Sequence, residues 1–80
     1  MTESQTLERI LDLAAAHFRL PRERLRPDDD LFATLGLDSL KALDLLSRLE
    51  AHFGVELPDW EMQGVADFRT LASKIHARRG

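Results

Sequence analysis

The chain of 80 residues contains no cysteine. Disulfides and thiolate metal ligands are therefore excluded, and the chain itself offers no thiol nucleophile. No segment approaches the roughly 20 apolar residues of a membrane span. Met1 to Gln5 is polar and no long apolar run follows, so no signal peptide is expected. Internal repeats and low-complexity stretches are missing, and no segment shows a convincing strand pattern. What remains is one domain over residues 1–80, expected to be cytoplasmic. A domain of this size buries only about 60% of its unfolded surface, so its stability is marginal.

The formal net charge is -3, but its distribution says more than its sum. Residues 28–67 hold ten acids against two bases, whereas residues 68–80 hold four bases and no acid. An acidic middle argues against nucleic acid as a ligand, because phosphate binding needs a basic face. It suits a basic partner protein, or it serves solubility alone.

The apolar spacing is helical throughout. A first helix is expected over Ser4 to Phe18, with Leu7, Ile10, Leu11, Ala14 and Phe18 on one stripe and Glu8, Arg9 and Asp12 facing away. Pro21 closes this region. Residues 19–37 lack a sustained pattern, and a connection of this length is usually functional or disordered. Leu20, Leu25, Leu31, Phe32, Leu35 and Leu37 provide apolar anchors that order it, with a turn at Pro27 to Asp30 and a short helical stretch at Leu31 to Thr34. The second helix runs from Ser39 to Phe53, with Asp38 as N-cap and Gly54 as the stop. A short third helix is expected over Pro58 to Gln63, with the proline at its first position. The fourth runs from Asp67 to Arg78, burying Phe68, Leu71, Ala72 and Ile75. Lys74, Arg78 and Arg79 lie at its end, where the helix dipole favours cations. The fold class is all-α: a four-helix bundle with a long loop between helices 1 and 2 and a short helix 3.

On a wheel of about 100° per residue, Ala42, Leu45, Leu46, Leu49 and Phe53 of the second helix share one arc, the expected core face. Leu40 falls nearly opposite that arc and Leu43 well to one side, near Ser39. Asp44, Ser47, Arg48 and Ala51 share the outer face with Leu40. Leu40 has two readings: first-turn packing against the preceding loop, or a recognition residue beside an exposed serine. Ser39 has two as well. Serine is a common helix-start residue, and a helix N-terminus also tolerates a phosphodiester anion through its free amides and partial positive charge.

Leu35-Gly36-Leu37-Asp38-Ser39-Leu40, then Ala42-Leu43-Asp44-Leu45, then Leu49-Glu50-x-x-Phe53-Gly54-Val55-Glu56-Leu57-Pro58, resembles the acyl carrier protein family over nearly the whole chain, from Leu7 to Ile75. Asp-Ser-Leu by itself is a weak signal. Joined to Phe-Gly-x-x-Leu-Pro at this separation, within four helices, it is a strong one. The resemblance implies an acyl-carrier-type bundle that is not an enzyme. Ser39 matches the serine to which a phosphopantetheinyl transferase attaches 4'-phosphopantetheine, and Asp38 matches the acid that helps that transferase. Leu40, Leu43, Asp44 and Ser47 match positions that acyl-loading and acyl-processing enzymes contact, and Leu46 matches a position that can line the acyl pocket.

Some residues depart from the family pattern. Lys41 and Arg48 interrupt a helix face that is more acidic in primary fatty-acid carriers, and both are expected to bear on partner choice. Trp60 and Met62 are bulkier than the residues usual there. The Gly-Leu-Asp-Ser-Leu form sets the chain apart from peptidyl carriers, which often read Gly-Gly-His-Ser-Leu. The implied function is a freestanding, monomeric carrier of thioester-bound acyl groups for a specialised polyketide, lipid or hybrid pathway. A general fatty-acid carrier, an aminoacyl or peptidyl carrier, and an unmodified helical protein-protein adaptor are the alternatives.

Other chemistries fit poorly. A hydrolase elbow needs Gly-x-Ser-x-Gly after a strand, and Leu37-Asp38-Ser39-Leu40-Lys41 offers neither. A calcium loop opening at Asp28 would need a ligand at Phe32 and a glycine at Ala33. His17, His52 and His76 lack metal-ligand spacing.

Overall fold

Leu7, Ile10, Leu11 and Ala14, spaced to share one helical face, are all buried along α1 (Glu3–Phe18) in the computed structural model, which describes residues 1–79. Four further helices follow: α2 (Leu31–Leu35), α3 (Ser39–Phe53), α4 (Asp59–Met62) and α5 (Phe68–Arg79). A 3₁₀ turn at Arg22–Arg24 lies between α1 and α2. The described residues contain no β-strand, only an isolated bridge between Asp30 and Asp67. The all-α expectation is met. The four expected helices are α1, α3, α4 and α5, and α2 is the short stretch expected inside the long loop.

The core is made where α1, α3 and α5 meet. Ile10, Leu49, Phe68 and Ile75 are fully buried there, with α1 and α5 the most extensively packed pair. Fully burying a side chain of this size contributes about 1.5–3 kcal/mol. In α3 only Leu45 and Leu49 are buried. Ala42, Leu46 and Phe53, expected on the same core arc, are half-buried. Ala42 and Leu46 lie towards the side of α3 that the short helices α2 and α4 cover incompletely, and the Phe53 ring lies near Arg79 of α5.

Helix boundaries move by a residue or two, each for a local reason. α1 begins at Glu3 rather than Ser4 because Thr2 and Gln5 form a capping box. The Gln5 amide donates to Thr2 Oγ1 at 3.1 Å and the Thr2 amide to Gln5 Oε1 at 2.8 Å. α4 is shorter than the expected Pro58 to Gln63. Pro58 is its extended N-cap rather than its first helical residue, and Gln63 has already returned to extended backbone. α5 begins at Phe68, with Asp67 accepting from the Thr70 amide at 2.7 Å. At the other end of α1, Arg19 takes the left-handed conformation (φ 56°) usually left to glycine, and its amide and that of Leu20 both reach the Ala15 carbonyl.

The loop between α1 and α2 is tied at both sides. Arg22 donates to Glu8 (2.6 Å), Asp12 (2.8 Å) and the Leu25 carbonyl (3.1 Å), which holds the loop to α1. Arg69 donates to Asp28 at 2.7 Å and its amide to the Pro27 carbonyl at 2.9 Å, while the Leu31 amide reaches the Ala66 carbonyl at 2.8 Å. These bonds hold the loop to the start of α5. Of its apolar anchors, Leu25, Leu31 and Leu35 are buried and Leu20 and Leu37 half-buried. Phe32 departs from the expectation: it is 43% exposed.

Two carboxylates at this junction have pKa values below the ordinary 3.8, Asp28 through its hydrogen bond from Arg69 and Asp67 through hydrogen bonding from Thr70. A lowered folded-state pKa contributes stability that is complete above the unfolded value and lost as pH falls through the folded one. Asp28→Asn is therefore expected to shrink the loss of stability below about pH 4, read as a shallower acid limb in thermal melts. An acid limb unchanged in the variant contradicts this role.

Candidate functional site

Gly36, Leu37 and Asp38 join two helices with almost no intervening chain. α2 ends as Gly36 turns left-handed (φ 63°), with the Gly36 and Leu37 amides both donating to the Phe32 carbonyl. Asp38 is extended, and its carboxylate accepts from the Lys41 amide at 2.8 Å. The cap expected at Asp38 is present, and Ser39 becomes the first residue of α3. Its side chain is exposed. Within the first turn the Lys41 and Ala42 amides are taken by the Asp38 side chain and carbonyl. The Ser39 and Leu40 amides make no hydrogen bond among the described residues. The serine thus sits at an end where free donors face outward.

An open groove of about 570 Å³ runs from Ser39 along α3. Leu37, Ala42, Leu43 and Leu46 line it from one side, and Phe32 from α2 and Met62 from α4 from the other. This accounts for the half-burial of Ala42 and Leu46 and for the exposure of Phe32. It also gives Met62 a place that its sequence position alone did not reveal. The groove is apolar along its length and polar at Asp38 and Ser39. A long, flexible arm on the Ser39 hydroxyl fits this arrangement, because the hydroxyl is exposed and the adjoining walls are apolar.

The other singled-out residues of α3 divide into groups. Leu40 is 78% and Leu43 56% exposed, so first-turn packing of Leu40 against the loop is ruled out. Ser47 is exposed. Lys41, Asp44 and Arg48 follow one another along the side of α3 that faces α1. There Asp44 Oδ2 receives His17 Nε2 at 2.7 Å and lies 3.6 Å from Arg48 Nε. The Asp44–Arg48 pair is the i,i+4 contact that their spacing permits. The His17 contact spans 27 positions, and no local pattern announces it. Lys41 makes no ion pair among the described residues.

A family described as the phosphopantetheine attachment site matches residues 8–75 of the chain. An acyl carrier protein of Thermosynechococcus vestitus is 34% identical over 74 residues, covering 85% of this chain and 91% of its own. One of Chlorobium phaeobacteroides is 29% identical over 66 residues, covering 82% and 85%. The structure of an acyl carrier protein from Enterococcus faecalis superposes with a TM-score of 0.77 over 98% of this chain and 99% of the other, at 19% identity. That last likeness is one of fold.

Leu40→Ala is expected to cost well under 1 kcal/mol, roughly the effect of an ordinary surface substitution. Leu49→Ala, at a fully buried position, is expected to cost about 2–5 kcal/mol. Denaturant midpoints of the two variants check the rotation of α3, and equal losses would overturn it.

Proposed function

The chain belongs to the acyl carrier protein family, and from that premise we propose that Ser39 is where its 4'-phosphopantetheine is attached. The attached group supplies a terminal thiol on which acyl cargo travels as a thioester. The protein is a carrier that serves biosynthetic enzymes rather than an enzyme itself.

The observation that carries the assignment is the placement of Ser39. It is an exposed hydroxyl at the first residue of α3, between a capping carboxylate and the mouth of an apolar groove. Asp38 serves twice in this reading. Its cap holds the first turn in shape, and its carboxylate stands next to the hydroxyl that a phosphopantetheinyl transferase must address. The free Ser39 and Leu40 amides favour the phosphodiester that results. Leu40 and Leu43 offer apolar contact beside it, and Asp44, Ser47, Lys41 and Arg48 continue the same recognition surface. Whatever the cargo, residues 1–80 act as one carrier domain, a monomer in the cytoplasm.

Incubation with coenzyme A and a broad-specificity phosphopantetheinyl transferase tests the assignment. The intact mass is expected to rise by one phosphopantetheine, and Ser39→Ala to abolish the rise with helical content retained. Modification of the folded Ser39→Ala protein would sink it. Leu40→Ala is expected to slow the transferase while leaving stability nearly unchanged.

The pathway reading is that the carrier serves a specialised polyketide, lipid or hybrid route. It is supported by Lys41 and Arg48, two cations on the helix that basic docking patches of primary fatty-acid enzymes would meet. Changing both to glutamate is expected to raise the efficiency with which a fatty-acid malonyl transferase uses the carrier at low salt, with the gain fading as salt screens it. No gain at any ionic strength removes the support for a specialised pathway.

A further inference from the structure

Three acids at the start of α3 and along it, Asp38, Asp44 and Glu50, accept bonds within the molecule. Asp38 caps the helix through the Lys41 amide. Glu50 accepts from the Leu57 amide at 2.7 Å. Asp44 meets His17 and Arg48 on a single oxygen. The cations are less committed. Lys41 is exposed and unpaired among the described residues, and Arg48 is 63% exposed with only a 3.6 Å contact. Lys41, Asp44, Arg48 and His52 follow at helical spacing on one stripe, and His17 joins it from α1. The stripe borders an open groove of about 460 Å³ between α1 and α3, to which Leu13, Ala16 and Ala51 contribute apolar surface.

We infer that this seam is a docking surface for a partner protein that presents carboxylates around an apolar projection, rather than a basic patch. The inference rests on the carrier reading and deepens it by naming the chemistry of the partner. The apolar projection enters the groove between α1 and α3. The partner's carboxylates meet Lys41 and Arg48, the two cations with bonding capacity to spare. Asp44 lies between them and is drawn towards His17 on α1 through its Oδ2. Like-charge contact discourages a basic patch at the same place.

The test compares two forms of one carrier-dependent malonyl transferase. One keeps the lysines and arginines of its docking rim, and in the other they are changed to glutamate. The acceptor is the holo-protein, its mass verified first, so that a failure to load Ser39 is seen before docking is measured. Free pantetheine as acceptor corrects for changes in the enzyme's own active site. The glutamate-rimmed form is expected to show roughly fivefold higher kcat/KM at low salt, the scale of two exposed pairs. That advantage is expected to fade towards 1 M salt and to disappear when Lys41 and Arg48 are changed to glutamine. If the glutamate-rimmed enzyme has lost activity towards pantetheine, the affinity of each form for labelled holo-protein decides by the same criteria. A preference for the basic rim at low salt, or one indifferent to salt, overturns the inference.

Discussion

The burial of Leu45 and Leu49 fixes the rotation of α3, and the site depends on that rotation. Two leucines a helical turn apart set one face inward. The remaining positions are then assigned by angle alone: Leu40 outward, Ser39 and Leu43 towards α2 and α4, and Lys41, Asp44 and Arg48 towards α1. A turn of one residue would place Ser39 differently and bring a charged side chain against the core, at a cost larger than a marginal domain can absorb. The fold thus controls the exposure of one hydroxyl through two side chains that do not touch it.

The apolar groove beside Ser39 is a consequence of short neighbours. α2 has five residues and α4 four, too few to cover a helix of 15. Ala42 and Leu46 keep part of their surface in contact with water. At about 25 cal/mol per Å² this forgoes stabilisation that a closed bundle would gain, and in an 80-residue chain the loss is not trivial. The result is an apolar groove, open to solvent, that begins beside Ser39. The ties from Arg22 to α1 and from Arg69 to Asp28 hold the long loop in place by polar contacts, so the open side need not be closed to keep the chain in order.

The parts of this arrangement that are local in sequence are legible there. Helical spacing locates α1, α3 and α5, and residue type locates the Asp38 and Asp67 caps and the Gly54 stop. The wheel alone is enough to place Leu40 on the outside. Apolar spacing starts α1 a residue late, because the Thr2-x-x-Gln5 capping box that sets its true start is a polar signal. What stays hidden is what depends on distance. Nothing around His17 points to a carboxylate 27 positions on, because that contact needs the α1–α3 packing first. Phe32 and Met62 read as a loop anchor and an oversized helix residue, and only the closing of α2 and α4 around α3 makes them two walls of one groove. The half-burial of Ala42 and Leu46 belongs to the same class, since a wheel finds an inward arc but not how much of it the neighbours cover.

Charge composition is only part of the electrostatics here. Ten acids lie in residues 28–67, and three of them at the start of α3 and along it also accept bonds within the molecule: Asp38 as the cap, Asp44 from His17 and Arg48, and Glu50 from the Leu57 amide. A carboxylate that already accepts strong hydrogen bonds offers less to an incoming cation, because binding must displace or share those bonds. An ammonium such as Lys41, with no internal partner among the described residues, keeps its full capacity. The hydrogen-bonding capacity of a face therefore depends on which charges remain uncommitted after folding as well as on their sum along the segment. The small size of exposed ion-pair energies means that such charges act through discrimination among partners rather than through stability of the domain.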